Sequence, residues 1–550
     1  MTDSPRVAYF CMEYGLDERL RTYAGGLGIL AGDTLKAAHD LGVPMVGIGI
    51  RWAQGYTHQT ISEAGTQVDE YVDNPAEGLL DDTGVEVTVQ IRGDDVRCKV
   101  WRADAFGNVP LYLLDTDLDG NPHRDTTARL YGGGAEDRVA QEIVLGVGGV
   151  RALRALGVGV DLYHFNEGHA LLAAFELVRE KVEAGAGYDE ALAATRGEVV
   201  FTTHTPVLAG NETHPIGRFR EVGAASELSD AQLEALGGNP FNMTVGALRL
   251  ASRANAVAAL HAETANRMWD FVEGRPHILP ITNGVHRPTW VDPAMLEAAE
   301  RGGDLWAPHL ENKRALVALV EDHTGQTLDA DHLIVGFARR AATYKRAPLV
   351  FEDEDRIADL LESGRLQLVF SGKAHPADEG GKVIIARLVE MARKYPRGVV
   401  FLEDYGMPIG RAMTRGADVW LNNPRRPKEA SGTSGMKAAM NGVLNLSVLD
   451  GWWPEAAQHG VNGWQIGDGF ESPDEGEQDR HDLESLYRVL LDEVVSTYYD
   501  DRDRWVEMMR ASVASTRDRF SAERMVRDYV GRLYAAGGDG QPAGAAAQVG

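Results

Sequence analysis

Arg339, Arg340, Lys345 and Arg346 crowd into residues 336–346, GFARRAATYKR, directly after the apolar run LIVGF. In a chain of formal net charge −27, such a concentration of cations suits an oxyanion, with Arg supplying planar forks and Lys a point charge. As a plain basic helix face the same residues would simply be solvated. Residues 424–453, PRRPKEASGTSGMKAAMNGVLNLSVLDGWW, carry Glu429, then a Gly/Ser/Thr loop, then Lys437 in a helical pattern. Small residues let a backbone approach a ligand closely. Their density ahead of so apolar a helix argues against an idle loop with an exposed lysine. Gly25, Gly26 and Gly28, in YAGGLGILAGDTLKAAHDLG, open a helix whose first amides suit a phosphate, although a tight turn without a ligand reads the same. Ser371-Gly372-Lys373 sets another cation behind a strand, and on its own it is a turn with a lysine. His204 in FTTHTP, Asn166, Glu167 and His169 in HFNEGH, and Asn283 in ITNGVH also follow apolar runs, where each alone could be a structural polar group. His164, His169 and His204 match no usual metal-ligand spacing, so no metal is expected. No carboxylate pair of the glycosidase kind is identified.

The elements that must hold these groups are short β-rich runs alternating with longer helical patterns. RVAYFCMEYG, VPMVGIGI, GVEVTVQI, LYHFNEG, EVVFTTHTP and HILPITNGV occupy the first half, and LIVGFARR, LQLVFSGKAH, GVVFLEDYG, ADVWLNNP and GVLNLSVLDGW the second. Continuous apolar strands separated by helices predict doubly wound parallel sheets, in two Rossmann-like domains. Residues 1–305 form the first domain, with an antiparallel excursion near 58–130, and 306–515 the second. A helix at 516–534 packs back on the first domain, and the Gly/Ala-rich 535–550 is a disordered tail. Ligands of such sheets bind at the carboxyl ends of strands, where nearly every cluster named above falls.

Hydrophobic residues at 44% and charged residues at 25% suit a large globular core. The acidic balance argues against nucleic acid and anionic membrane as partners. It also means that any anionic substrate needs a local cationic pocket. Two cysteines, Cys11 and Cys98, are no disulfide framework, although they could make one bridge. The start MTDSPRVAYF lacks a signal-peptide pattern, and no run of about 18 apolar residues occurs, so the cytoplasm is expected.

In this order the clusters resemble the α-glucan (glycogen/maltodextrin) phosphorylase family, most of all its short bacterial and archaeal branch. The resemblance rests on AYFCMEYG, YAGGLGILAGDTLKAAHDLGVPMVGIGI, NEGHA, THTPVLAGNETHP, NMTVGALRL, ITNGVHRPTWV, GFARRAATYKR, FSGKAHPADE, FLEDYGMPIGR, DVWLNNPRRPKEASGTSGMKAAMNG and LSVLDGWWPEA, which cover most of residues 6–470. It implies a GT-B fold, two Rossmann-like doubly wound domains facing across a catalytic cleft. It implies reversible phosphorolysis of terminal α-1,4-glucosyl units of glycogen or maltodextrin to glucose 1-phosphate, with retention, and pyridoxal 5'-phosphate (PLP) as cofactor.

Lys437 looks like the lysine linked to PLP. Arg340 and Lys345 look like the pair that holds substrate phosphate and cofactor phosphate, and Arg339 stands where the family has a cofactor-phosphate lysine. Thr433 and Tyr405 match neighbours of the cofactor phosphate and pyridine ring, and Gly25 and Gly26 match the turn whose amides meet phosphate. Glu13, His204, Asn283, Tyr344, Glu429, Ser431 and Gly432 match the glucose pocket, where His204, Asn283 and Glu429 position the reacting sugar. The chain begins almost at its first strand, without the regulatory extension of the long enzymes, so activity without AMP or phosphorylation is expected. The partners implied are α-glucan or maltodextrin, inorganic phosphate and glucose 1-phosphate, with a homodimer left open.

The rival is a retaining nucleotide-sugar-dependent GT-B glucosyltransferase, which often carries a ribose-binding glutamate eight positions after the residue matching Glu429; here that position is Lys437. A non-catalytic glucan-binding homologue is the other alternative, and the intact cationic and lysine positions argue against it.

Overall fold

The computed structural model describes residues 4–75, 77–225 and 227–535. Two large sheets organise it. Across the first, the strands run Ile278–Pro280, Arg253–Ala256, Val199–Thr203, Leu162–Asn166, Val7–Phe10, Met45–Ile50, Leu111–Asp115, Asp94–Ala103 and Asp81–Ile91. Pairing is parallel from Ile278–Pro280 as far as Leu111–Asp115, and antiparallel in the last two strands. Across the second they run Val399–Leu402, Leu366–Ser371, Leu333–Ala338, Val419–Asn422, Leu444–Val448 and Gly463–Ile466, all parallel.

Each sheet starts at an inner strand, winds to one edge, returns and winds to the other. This places a switch point between Val7–Phe10 and Leu162–Asn166, and another between Leu333–Ala338 and Val419–Asn422. Crevices at such points, outside the carboxyl ends of the strands, are where open α/β sheets bind ligands. The fold is α/β with two doubly wound parallel sheets, of the GT-B type.

The strands read as unbroken apolar runs because both faces are covered. Ala8 and Phe10 enter one core with Val144 and Leu172, while Val7 and Tyr9 enter the opposite one with Leu30 and Leu35. In the second sheet Leu333, Val335 and Phe337 take one side, and Ile334 and Ala338 the other with Leu316 and Trp420. The alternation is the two-residue period of a strand.

Residues 58–130 do two different things. Asp81–Ile91 and Asp94–Ala103 extend the first sheet as an antiparallel ribbon. His58–Ile61 and Gln67–Glu70 form a hairpin that docks on the second unit instead. There Gln59 Nε2 donates to Gly372 O (2.9 Å), Gln67 Nε2 donates to Ala374 O (3.0 Å), and Ala374 N donates to Gln67 Oε1 (3.0 Å). Near the end of the chain, Met525, Val526, Tyr529, Leu533 and Tyr534 pack into the first unit's core beside Val7 and Tyr9. The tail expected from 535 lies, beyond Ala535 itself, outside the described residues. Cys11 and Cys98 are buried free thiols. Among the described residues no helix is long and apolar enough to cross a membrane.

A buried ion pair sets the base of the second switch point. Lys313 Nζ lies 2.6 Å from Asp418 Oδ2 and donates to His332 O (2.6 Å) and Tyr498 OH (2.7 Å). The other Asp418 oxygen meets His309 Nε2 at 2.9 Å, and Oδ2 accepts Ile334 N at 2.7 Å. Lys313 and Asp418 are both fully enclosed. Removing one partner leaves an uncompensated buried charge, which costs about 3–5 kcal/mol. Lys313→Ala should therefore lower the denaturation midpoint by that much stability, and an unchanged midpoint would show that the pair carries none of it.

Candidate functional site

The two switch points face each other across a cleft of about 1130 Å³. Glu13, Gly25, Gly26, His204, Asn283, Arg339, Arg340, Tyr344, Lys345, Tyr405, Glu429, Ser431, Gly432, Thr433 and Lys437 all line it. They lie far apart in the chain, and the two sheets bring them together.

The wall from the first unit is built on Glu13. Its Oε2 accepts the amides of Ala24 (2.6 Å) and Gly25 (3.1 Å), and its Oε1 accepts the Tyr131 hydroxyl (2.6 Å). The carboxylate thus clamps the Gly-rich turn to the strand end. The Gly25 amide is spent on this clamp, which leaves the first-turn amides of the helix Gly26–Leu41 to face the cleft. A Cβ built on Gly25 or Gly26 would meet nothing within 4 Å, so neither glycine is imposed by the protein's own packing. Glu167 accepts the amide of His204 (2.8 Å) and the hydroxyl of Thr205 (3.1 Å), while the His204 ring bonds to Asn166. Burial pulls the His204 imidazole down to about 3. At neutral pH it is an uncharged hydrogen-bonding group.

The wall from the second unit carries the cations. Arg339 Nη2 and Lys345 Nζ each lie 2.8 Å from Glu429 Oε2. Burial alone would raise the Glu429 carboxyl, but Arg339, Lys345 and Arg340 outweigh it and hold the group down at about 2. Arg340 is exposed in the cleft, and its side chain has no hydrogen bond or ion pair among the described residues. Arg346 turns away, bound to Asn423 O, Pro424 O, Asp479 and Asp482. Lys373 is likewise committed, 2.9 Å from Thr57 O and paired with Asp404. Of these five basic residues, Arg346 and Lys373 are committed to other partners, Arg339 and Lys345 share the single Glu429 carboxylate within the cleft, and Arg340 has no partner among the described residues.

Behind them the loop 429–432 turns into the helix Thr433–Met440. Gly432 sits at φ 81, a left-handed conformation suited to glycine, and a Cβ there would come within 3.0 Å of Arg339 Nη2. Asp450 braces the loop by accepting the amides of Glu429 (2.9 Å) and Gly451 (2.8 Å). Burial, with the Glu429 charge beside it, pushes the Asp450 carboxyl up to about 8. Thr433 and Lys437 are four residues apart and share a helix face. Lys437 is buried, and its amine rests 3.4 Å from the centroid of the Trp290 ring. Burial pulls that amine down to about 8, against the pull of Asp33 toward the ammonium. Tyr405 lines the same corner, its phenol pushed up to about 12 by burial.

Arg339 Nη1, Ser431 Oγ and Asn283 Oδ1 are among the buried polar atoms of the cleft lining that have no partner among the described residues. Each such group costs about 1–3 kcal/mol unless something satisfies it, so their convergence on one cleft points to a polar ligand. The donor set fits a group with a phosphate at one end and an aldehyde at the other: Arg339, Thr433 and the first amides of its helix for the first, Lys437 for the second.

Asp33, Trp290, Tyr131, Arg138 and Asp450 escaped the sequence reading. A lone carboxylate inside the apolar pattern GILAGDTLKAA was the available signal for Asp33. Arg138 stacks on Tyr131 at 4.7 Å and lies 3.9 Å from Glu142 and 3.2 Å from Glu212. With His214, these carboxylates bring ligand-type atoms within 4.8 Å of one another. The Arg138 guanidinium already supplies the countercharge that a cation would bring.

A family model described as carbohydrate phosphorylase matches residues 295–459 of the chain, which include the cationic cluster and Lys437. The chain is 40% identical to a maltodextrin phosphorylase of Thermococcus litoralis, across 96% of this chain and 70% of that protein. It is 36% identical to a glycogen phosphorylase of Aquifex aeolicus, across 96% and 86%. It is also 38% identical to an uncharacterized protein of Methanocaldococcus jannaschii, across 96% and 99%.

Proposed function

The chain belongs to the carbohydrate phosphorylase family, and we propose from that premise that it is an α-glucan phosphorylase with PLP linked to Lys437. It moves terminal α-1,4-glucosyl units of glycogen or maltodextrin reversibly onto inorganic phosphate, giving glucose 1-phosphate with retention, in the cytoplasm. One observation carries this reading. A buried amine held near neutrality shares a helix face with Thr433, in a cleft that Arg339, Arg340 and Lys345 also line.

Bound PLP supplies its phosphate as a proton-sharing partner for the substrate phosphate, rather than its ring as an electron sink. The protein's residues do the rest. Arg340, unpartnered in the cleft, receives the substrate phosphate, while Arg339 and Lys345 are held in place by their shared acceptor Glu429. Together these cations offset the repulsion between two anions in contact. The substrate phosphate protonates the glycosidic oxygen, the bond from C1 to that oxygen breaks as the shortened glucan departs with it, and the same phosphate then bonds to C1 from the same face. Glu429 stays ionised throughout, because its carboxyl is held at about 2, and it accepts from a glucose hydroxyl. His204 and Asn283 align the sugar by hydrogen bonds. The apolar wall around Trp290 and the facing units exclude water, which would otherwise divert the glucosyl group to hydrolysis.

The decisive assay is release of glucose 1-phosphate from maltodextrin and phosphate with no nucleotide present. A protein free of PLP that transfers glucose only from a nucleotide sugar would replace this reading with the glycosyltransferase one. Glu429→Gln keeps the side-chain shape but strips the shared countercharge from Arg339 and Lys345. Turnover should fall about 10²-fold or more, the usual cost of one oriented polar contact at a reacting centre, with PLP retained. Turnover and substrate affinity equal to those of the native enzyme would remove Glu429 from the sugar pocket.

A further inference from the structure

The Lys437 amine makes no hydrogen bond or ion pair among the described residues; its seat is the face of an indole. Trp290 is held from both sides of the cleft, at its backbone from one and at its ring from the other. From the second unit, Arg415 Nε and Asn441 Nδ2 donate to the Trp290 carbonyl at 3.0 and 3.2 Å, and Asn441 Nδ2 also donates to Lys437 O at 2.8 Å. From the first unit, Asp33 on the helix Gly26–Leu41 accepts the indole N–H, with both carboxylate oxygens 3.0 Å from Nε1. Asp33 is itself buried, in a helix otherwise packed with Ile29, Leu30 and Leu35.

The other charged neighbours are accounted for. Lys36, one turn along the same helix, donates to Leu16 O (2.7 Å) and Thr289 Oγ1 (3.1 Å). His286 bonds to Thr289 and Asp40. Arg411, on the helix Met407–Gly416, opposes the Lys437 charge. Burial pushes the Asp33 carboxyl up, while Lys437, His286, the Trp290 N–H and Lys36 favour its ionised form; as the anion, Asp33 favours the Lys437 ammonium across the cleft.

We propose that Asp33 is a positioning residue for Lys437: it fixes the Trp290 ring as the seat of the amine and sets a carboxylate against the edge of that ring. The proposal rests on the reading of Lys437 as the PLP-linking lysine. Condensation of an amine with an aldehyde needs the neutral amine and releases one water. A ring face and a nearby anion both favour the ammonium, while burial favours the neutral form. Burial sets the fall to about 8, and Asp33 limits it.

Two substitutions separate seat from charge. Asp33→Asn keeps an oxygen to accept the indole N–H but loses the charge, whereas Asp33→Ala loses both. In the full chain freed of PLP, the proton affinity of Lys437 is read from the pH dependence of its reductive methylation by formaldehyde with a borane reductant as hydride donor, measured on the peptide containing it. The midpoint should fall below the native one in both variants, because the anion favouring the ammonium is gone. On adding PLP back, Asp33→Asn should regain the Lys437–PLP absorbance as fully as the native chain. Asp33→Ala should regain it more slowly and lose PLP faster on dilution. A merely structural role would not move the methylation midpoint. A native midpoint in Asp33→Asn overturns the charge coupling, and native PLP retention in a folded Asp33→Ala overturns the seat. If Asp33→Ala does not fold, the Asp33→Asn midpoint decides the proposal. A native enzyme that yields no pyridoxyl peptide at Lys437 would sink the PLP reading instead, and the methylation midpoints would still report whether Asp33 acts on the amine.

Discussion

Lys437→Ala is expected to abolish the borohydride-fixable pyridoxyl group and to cut glucose 1-phosphate release by orders of magnitude. The expectation follows from what the other cleft lysines are doing. Lys345 is committed to Glu429, and Lys373 to Asp404 and Thr57. Lys36, outside the cleft wall, is committed to Leu16 and Thr289. None sits on the face of the helix Thr433–Met440, one turn from Thr433, so none can replace the lost amine. Burial holds the Lys437 amine at about 8, which leaves an appreciable neutral fraction near pH 7–8 where an ordinary lysine has almost none. Lys437→Arg separates charge from nucleophile: it keeps a cation on the Trp290 ring but cannot condense with an aldehyde, and it should be as inactive as the alanine variant. Borohydride reduction of the native protein followed by peptide mapping checks the attachment directly. A pyridoxyl group found on another peptide, or undiminished turnover in Lys437→Ala, would remove Lys437 from the reaction.

The fold was largely legible because its strands are buried on both faces. Runs such as LIVGF and VVFTT leave no polar face, and covered parallel strands produce that pattern. The strand Arg253–Ala256 was not legible, since RANA is short and built of small and polar residues. Only its place between Val199–Thr203 and Ile278–Pro280 makes it a strand. The hairpin at 58–70 reads as polar alternation either way; that it reaches across to Gly372 and Ala374 is set by amide pairing with residues some 300 positions away.

Much the same division holds for the site. The cations and the small-residue loop announce themselves by composition, because a cluster of charge in an acidic chain has few other uses. Which of those cations stay free is a matter of tertiary partners. Arg346 and Arg340 look alike in RRAATYKR, yet only the structure sends Arg346 to Asp479 and Asp482. Asp33 and Trp290 were hidden for the opposite reason: neither belongs to a cluster, and their shared hydrogen bond spans 257 positions.

Arg340→Ala should lower phosphorolysis about 10²–10³-fold, the usual loss when one charged donor is withdrawn from developing transition-state charge. Its stability should change by no more than about 0.5 kcal/mol, since the side chain is exposed and makes no contact that folding depends on. Lys345→Ala should reduce turnover to a similar degree for a different reason. It leaves Arg339 as the remaining ion-paired partner of Glu429, so the Glu429 carboxyl should rise from about 2. The sign is that of a depressed acid: its share of stability is present above the unfolded-state value and is lost as pH falls through the folded one. Lys345→Ala should therefore lose part of that share at neutral pH, while Arg340→Ala keeps nearly all of it. Kinetics separate the two again. On the proposed reading Arg340 has no partner but the substrate phosphate, so its loss should raise the KM for phosphate as well as lower kcat, and Arg340→Lys should restore charge without the planar fork and recover only part of the rate. Initial rates at varied phosphate, with denaturation midpoints for the same proteins, make the test. Near-native phosphorolysis in both alanine variants would mean that the phosphate binds elsewhere in the cleft.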